Sequence, residues 1–499
     1  NIHGLDIDQR AYQLAYFAVM MKGRGYNRRF LRGRDGKPEP KVYAIVESNE
    51  INRNHLQFFG THLSAMERNL AVMQIEGLLD TFKDAREYGS ILNVDACDWE
   101  VLERVVDDLG ITGQISFESV GSEETQENLG KLIKVAKNLE QKYDAVVTNP
   151  PYMGASGMGV QLLKYVKDNY PDSKSDLFAV FIEKCGQMIK KNAYQAMITQ
   201  HTWMFLSSFE KLRNKLQMMD IVNMAHLGPR AFEEIGGEVV QTTSFVIRKN
   251  HIKKYKGTYC RLIEPTTQQG KEKLFLQKQN NYDETQEYFK IIPGNVFAYW
   301  LGNGFVNIFK KNNVLAEISY PKQGLHTGNN NLYLRLWYEV NYSDIMLQNF
   351  SEWNDEYKWA KLNKGGAFRK WFGNTDYVID WKNNGNRIKN NGKSVGANNT
   401  SFFKNIIGFT DLTTYKPSFR KYGKGFVYDV SGPSLVNEGS EFSDDYLLGL
   451  LNSKIVELAM NVLSPTLHMN QTALSKISFE KPEKEILTKI ERISNECVG

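Results

Sequence analysis

Four hundred and ninety-nine residues exceed what one hydrophobic core organises, so two or more domains are expected. Apolar residues make up 41% and charged residues 24%, a globular balance, and no run approaches the roughly 18 apolar residues of a membrane-spanning helix. Lys and Arg outnumber Asp and Glu by 62 to 57, an excess too small by itself to specify a partner, and Cys97, Cys185, Cys260 and Cys497 are too scattered for a disulfide framework or a zinc site. A reducing cytoplasm and no metal are the expectations.

In chain order, Ile2–Asp6 reads as a short strand and Asp8–Lys22 as an amphipathic helix, with Ala11, Leu14, Ala15, Ala18 and Met21 at 3- and 4-residue spacing. Residues 23–60 interrupt this rhythm with Gly and Pro, and a basic run, Lys22, Arg24, Arg28, Arg29, Arg32 and Arg34, spans their start. A helix is expected near Ser64–Tyr88, then strands at Ile91–Val94 and Tyr143–Thr148. A helix at Asp176–Lys190 follows, then strands at Tyr194–Thr199 and Thr242–Arg248. Alternating strands and helices predict an α/β fold with a mostly parallel sheet.

The composition changes near residue 320. Residues 321–430 hold 21 aromatics, and 361–424 hold 13 Lys or Arg against 3 Asp or Glu, so a modest total conceals a strongly basic, aromatic-rich stretch. Such a stretch suits double-stranded DNA: cations supply phosphate affinity, and Arg, Asn and aromatic side chains reach base edges. Arg369, Lys370, Arg387, Lys389, Arg420 and Lys421 are the candidate contacts. The domains read as 1–260 (catalytic, with 23–60 inserted), 261–318 (connector), 319–478 (recognition) and 479–499 (a helical tail).

The sharpest motif is Asn149-Pro150-Pro151-Tyr152, directly after the strand Tyr143–Thr148. Open α/β sheets bind ligands at the carboxyl ends of their strands. The Asn side-chain carbonyl and a backbone carbonyl can each accept one hydrogen of an adenine amino group, which localises an otherwise conjugated lone pair on the nitrogen. The prolines stiffen the turn, and the Tyr ring can stack on a base swung out of a duplex. Asp6, at the end of the first strand, is placed either to accept ribose hydroxyls or to cap the following helix, with Ile7 beside it to pack on an adenine. Asp95 and Asp98 compete for an adenine amino group of a cofactor.

These residues resemble the amino-methyltransferases that use S-adenosyl-L-methionine, of the adenine-N6 class. Tyr170-Pro-Asp-Ser-Lys-Ser-Asp-Leu-Phe, Lys364-Gly-Gly-Ala-Phe-Arg-Lys-Trp371 and Gly425-Phe-Val-Tyr-Asp-Val-Ser-Gly-Pro-Ser434 are similar to the adenine methyltransferases of bacterial phage-exclusion (BREX) systems, the PglX type. The resemblance implies a truncated class I (Rossmann-like) methyltransferase sheet joined to a mixed α+β target-recognition domain. Asn149 to Tyr152 would be catalytic. Asp6, Ile7, Asp95, Asp176 and Phe178 would bind the cofactor, and Tyr152 with Phe232 would clamp the target base. The family's Gly-rich turn, which follows the sheet's first strand, has no counterpart here, and the strand carrying Asp6 starts at residue 2. The missing element is expected upstream of Asn1. Other subunits of a defence system are further expected partners, with no membrane. The competing readings are methylation of RNA or of a protein glutamine, and an inactive DNA-binding or scaffold module. A nuclease site is not evident, since Glu39 and Lys41 near Pro38 match one poorly.

Overall fold

The computed structural model describes residues 2–32, 40–108, 120–232, 240–311, 313–413, 416–437, 441–464 and 468–499; Arg34 and Glu39 lie outside them. The chain divides into two compact units. The first comprises Asn1–Gln200, Met218–Ile252 and Leu262–Lys273, and the second His201–Gln217, Lys253–Arg261 and Leu274–Gly499.

In the first unit β1 (His3–Asp6) pairs in parallel with β2 (Lys41–Ala44). A separate ladder is formed by β3 (Tyr143–Thr148), β4 (Ile189–Gln200), β5 (Asp220–Gly228) and β6 (Thr242–Arg248). The β3–β4 pair is parallel, whereas β6 lies antiparallel to both β4 and β5. The expectation of a mostly parallel sheet is thus corrected to a mixed one. Consecutive β5 and β6 pair antiparallel, and hydropathy carries no information about strand direction.

Local sequence explains several boundaries. Ser64 accepts from the backbone N–H of Glu67, and Glu67 returns the contact, a capping box that starts the helix Ala65–Thr81. Asp98 caps the helix Trp99–Asp107 through the Val101 N–H. Apolar residues of these helices and of Ser122–Glu140 meet in one core around Ile75, Leu79, Leu102, Leu129 and Leu132. No strand forms at 91–94. Gly89–Ile91 is a 3₁₀ turn, and Leu92 to Ala96 run on irregularly.

The helix Gln9–Tyr26 departs most from its expected role. It begins where the sequence predicts, capped by Asp8, but it buries no residue: Leu14 is 69% exposed and Phe17 60%. The outer strand β3 is similarly open, with Val147 75% exposed. A parallel strand is ordinarily covered on both faces.

The second unit is rich in short strands. β7 (Lys256–Arg261) pairs antiparallel with β8 (Asn281–Thr285), and β9 (Asn313–Val314) pairs with the distant β18 (Ser478–Phe479). Two four-stranded sheets hold the basic stretch. The strands are β10 (Tyr320–Lys322), β11 (Leu334–Leu336), β12 (Trp359–Asn363), β13 (Tyr377–Asp380), β14 (Ile406–Phe409), β15 (Phe419–Tyr422), β16 (Phe426–Tyr428) and β17 (Ser434–Val436). Their orders are β10-β17-β14-β15 and β11-β13-β12-β16. Trp381, Phe402, Phe403, Tyr422 and Tyr428 fill the core here, so many of the aromatics in this stretch are structural. The segment expected as a connector, 261–318, contributes buried aromatic side chains. Phe289, Phe297 and Tyr299 are buried, and Tyr259 stacks on Tyr299 with centroids 5.0 Å apart. Among the described residues no single helix is long and apolar enough to cross a membrane.

Candidate active site and nucleic-acid interface

The Asn149–Tyr152 loop leaves the carboxyl end of β3 beside parallel β4. Asn149 and Pro151 are exposed, Pro150 is buried and Tyr152 is half-buried. The Tyr152 hydroxyl lies 3.3 Å from Asn149 Oδ1 and 3.4 Å from the Ile198 carbonyl. Its ring meets Phe178 edge-on, with centroids 6.1 Å apart. Burial pushes the Tyr152 pKa up to about 12, so the hydroxyl stays a neutral donor at physiological pH.

The loop is held from below by Asp176. Its Oδ1 accepts from the Phe178 N–H at 3.3 Å, capping the helix Leu177–Met188, and from the Met153 N–H at 3.1 Å. Leu177 N–H donates to the Met153 carbonyl at 2.9 Å and Ala155 N–H to Ser175 at 3.1 Å, which closes the clamp. Asp176 Oδ1 is engaged by backbone N–H groups, and Phe178, expected with it at the cofactor, is fully buried. Burial also raises the Asp176 pKa, against the hydrogen bonds that lower it.

Asp6 lies exposed at the end of β1, and its Oδ1 accepts from the Asp8 N–H at 2.9 Å. Capping the helix falls to Asp8, whose Oδ1 accepts from Arg10 N–H at 2.7 Å. Ile7 is 55% exposed and packs against Gly89, which has φ +60 and where a Cβ would stand 2.7 Å from Ile7 Cγ2. A larger residue at 89 would close the surface beside Ile7. Asp95 and Asp98 also separate. Asp98 is the helix cap, while Asp95 is exposed with no side-chain cap to make. Two clefts of this unit, of about 560 and 700 Å³, are lined by none of Asp6, Asp95 and Asn149, which are exposed. Phe232 is half-buried in the bend after β5.

Sequence reasoning missed Lys184. It is 4% exposed, and its Nζ donates to the Leu92 carbonyl at 2.6 Å and to Asn93 Oδ1 at 3.1 Å. The Tyr170 hydroxyl lies 2.9 Å from the same Asn93 oxygen, so the two side chains fix the segment that leads to Asp95. Burial lowers the Lys184 pKa to about 8. The available signal was a lysine, next to Glu183, at the end of the apolar run Leu177–Ile182.

In the second unit the six basic candidates part company. Arg369 and Arg387 are exposed, although Arg387 is paired with buried Asp380 at 2.9 Å. Lys389 is half-buried over the Trp381 ring, 5.7 Å from its centroid. Lys370 turns in to the Asn452 carbonyl at 2.8 Å, and Lys421 pairs with Asp445 at 2.7 Å. Arg420 is fully buried, so its expected DNA contact is corrected. Its guanidinium is used up on Tyr422 Oη at 3.0 Å, Thr410 Oγ1 at 3.1 Å, the Arg369 carbonyl at 3.2 Å and Ser418 Oγ at 3.3 Å.

A mixed α/β unit with an Asn-Pro-Pro-Tyr loop at a strand's carboxyl end matches known proteins of one class. Residues 1–231 fit the family described as Eco57I restriction-modification methylase. The chain is similar to the adenine-specific methyltransferase PglX of Lacticaseibacillus casei (strain Zhang), 38% identical over 490 residues, covering 94% of this chain and 39% of that protein. It is 35% identical over 502 residues to BrxX of Escherichia coli O9:H4 (strain HS), covering 96% of this chain and 40% of that protein. The chain thus spans about two fifths of the length of these curated relatives. Among solved structures, a nuclease-deletion mutant of the Type ISP restriction-modification enzyme LlaGI in complex with a DNA substrate mimic aligns with a TM-score of 0.50 at 11% identity, over 100% of this chain and 44% of that one. At that identity the likeness is one of fold.

Proposed function

We propose that this chain carries the target-base site and the target-recognition region of a site-specific DNA adenine-N6 methyltransferase of a bacterial phage-defence system, BREX or restriction-modification. The observation that carries the reading is the rigid Asn149–Tyr152 loop, clamped by Asp176 at the carboxyl end of β3. The adenine-specific relatives support it. Asn149 Oδ1 and the Pro150 carbonyl accept the two amino hydrogens of a flipped adenine, and the Tyr152 ring stacks on the base. The amino nitrogen would turn pyramidal with its lone pair free; as its new bond to the methyl carbon formed, the methyl–sulfur bond would break to leave a neutral thioether, and the nitrogen would shed a proton to solvent with no bond to the protein. S-adenosyl-L-methionine supplies, when bound, an electrophilic methyl group.

The residues present fit the adenosine half of that cofactor. Asp6 offers an exposed carboxylate at a strand end, Ile7 an apolar surface kept open by Gly89, and Asp95 an acceptor without another task. We read β1 and β3 as strands that flank a missing one, in a class I methyltransferase sheet lacking its first strand and Gly-rich turn. The uncovered Leu14, Phe17 and Val147 support this. In this reading the chain alone binds S-adenosyl-L-methionine very weakly. Micromolar or tighter binding measured by calorimetry would refute it.

The recognition region, 319–478, binds duplex DNA with an affinity that falls steeply in salt. Radiolabelled methyl transfer by the full-length methyltransferase to duplex DNA, RNA and protein separates the substrate classes. Label on DNA adenine is expected, and label on RNA or protein instead would overturn the reading. A second reading, an inactive DNA-binding or scaffold module with defence-system subunits as partners, is favoured by the open β3 edge; it predicts no transfer to any substrate, even by the full-length protein.

A further inference from the structure

We propose that the loop Gly365–Asn374 is a wedge that enters the base stack of duplex DNA, with Phe368 and Phe372 as the inserting side chains; this rests on the DNA reading above and goes beyond it. Phe368 is 48% exposed and Phe372 55%, on a loop that contains the exposed Arg369. Exposed aromatics on a floppy loop would collapse onto the nearest apolar surface, and this loop is prevented from doing so. Its backbone is left-handed at Gly365, Gly366, Trp371, Gly373 and Asn374, and Trp371 at φ +72 lacks the glycine that such a conformation favours. Trp371 is pinned against β15 by its N–H to the Phe419 carbonyl at 2.9 Å and by the Lys421 N–H to its own carbonyl at 2.8 Å.

The anchor is Arg420. Its guanidinium donates to the Arg369 carbonyl and to Thr410 Oγ1, and the Thr410 hydroxyl donates to the Gly366 carbonyl at 3.1 Å. It also donates to Tyr422 Oη, and that hydroxyl donates to the Gly373 carbonyl at 2.9 Å. Both ends and the middle of the loop are thereby tied to one buried cation, which has no carboxylate within salt-bridge distance among the described residues. Asn374 Nδ2 adds a bond to the Ala367 carbonyl at 2.8 Å. A pre-ordered loop that presents apolar rings loses little entropy on insertion. Apolar wedges between base steps are how proteins unstack and bend a duplex. The occupant is argued from charge: within 361–424 the exposed cations Arg369, Lys382, Arg387, Lys393, Lys416 and Lys424 outnumber the exposed carboxylate Asp376, which suits a polyanion and disfavours an ordinary apolar protein partner.

The test needs no knowledge of the target sequence. Closed-circular plasmid is relaxed by a topoisomerase in the presence of saturating chain, and its topoisomers are then resolved; insertion unwinds the duplex and shifts the distribution. The wild-type chain is expected to shift it. The double variant Phe368→Ala with Phe372→Ala is expected to bind the plasmid with the same salt dependence, melt at the same temperature and give no shift. Binding by both proteins with equal shifts, or with none, would overturn the wedge, and would leave the surface to another class of partner. Failure of the wild-type chain to bind plasmid at all would instead sink the DNA reading itself.

Discussion

The loop Asn149–Tyr152 in the first unit and the loop Gly365–Asn374 in the second both stand on the surface, yet they are fixed through opposite ends of the hydrogen bond. The first is held by a carboxylate, Asp176, that accepts from the N–H groups of Met153 and Phe178 at a helix N-terminus, where the dipole favours an anion. The second is held by a guanidinium, Arg420, that donates to a carbonyl and to hydroxyls which themselves reach two more carbonyls. In each case the side chains offered outward differ from the charged group that matters for shape. Position in a motif identifies the loop, and burial decides which charge is scaffold.

The sharpest way to break this contrast is Arg420→Met. It removes the shared donor and leaves several buried acceptors unmatched, so it should destabilise the second unit by about 3 kcal/mol or more in urea unfolding, with Arg420→Lys giving little rescue. A loss below about 0.5 kcal/mol would mean that the cation is dispensable to the loop. The second test concerns Lys184, the buried cation under the Asp95 segment of the first unit. Its folded pKa of about 8 lies below the ordinary value of 10.5, so the unfolded chain binds more protons between them, and stability rises with pH across that window. Measured against Lys184→Met, which cancels every other titration, the wild-type chain should gain up to about 3 kcal/mol from pH 8 to 10.5. A flat difference would show that burial leaves the pKa at its ordinary value and the ammonium charged across the window.

Asp176→Ala should cost about 1 kcal/mol from the lost cap, while Asp176→Asn, which still accepts hydrogen bonds, should keep most of it. Methyl transfer by the full-length protein should fall in the Ala variant and largely survive in the Asn variant. Equal activities would separate the clamp from the chemistry. The smallest effect in stability is Arg369→Ala, within about 0.5 kcal/mol, because the side chain is exposed. Its signature lies elsewhere: the slope of log affinity against log salt on duplex DNA should drop by about 1. Arg420→Met and Arg369→Ala therefore predict opposite pairs of outcomes, stability without slope and slope without stability.

Much of the first unit was legible in its residues. Asn149-Pro150-Pro151-Tyr152 follows a strand, as hydropathy and turn chemistry predict, and β6 falls on Thr242–Arg248. The cap at Asp8 and the exposed Asp6 follow from their positions about a strand-to-helix turn. What could not be read is whatever depends on tertiary context. The antiparallel direction of β6 leaves no trace in its apolar pattern. Arg420 and Arg369 contribute identically to a charge count, but only the packing of β14, β15 and Thr410 shows that one is interior. Lys184 was hidden because burial of a lone lysine is costly and therefore unexpected.

The central claim is that the Asn149 loop delivers an adenine amino group for methylation. The most direct measurement is mass spectrometry of DNA from cells that express the full-length protein with its native partners, in wild-type form and as Asn149→Ala. The account predicts N6-methyladenine at one sequence motif for the wild type and a loss of at least about 10²-fold for the variant, with duplex binding unchanged. Undiminished N6-methyladenine in the Asn149→Ala cells would contradict it.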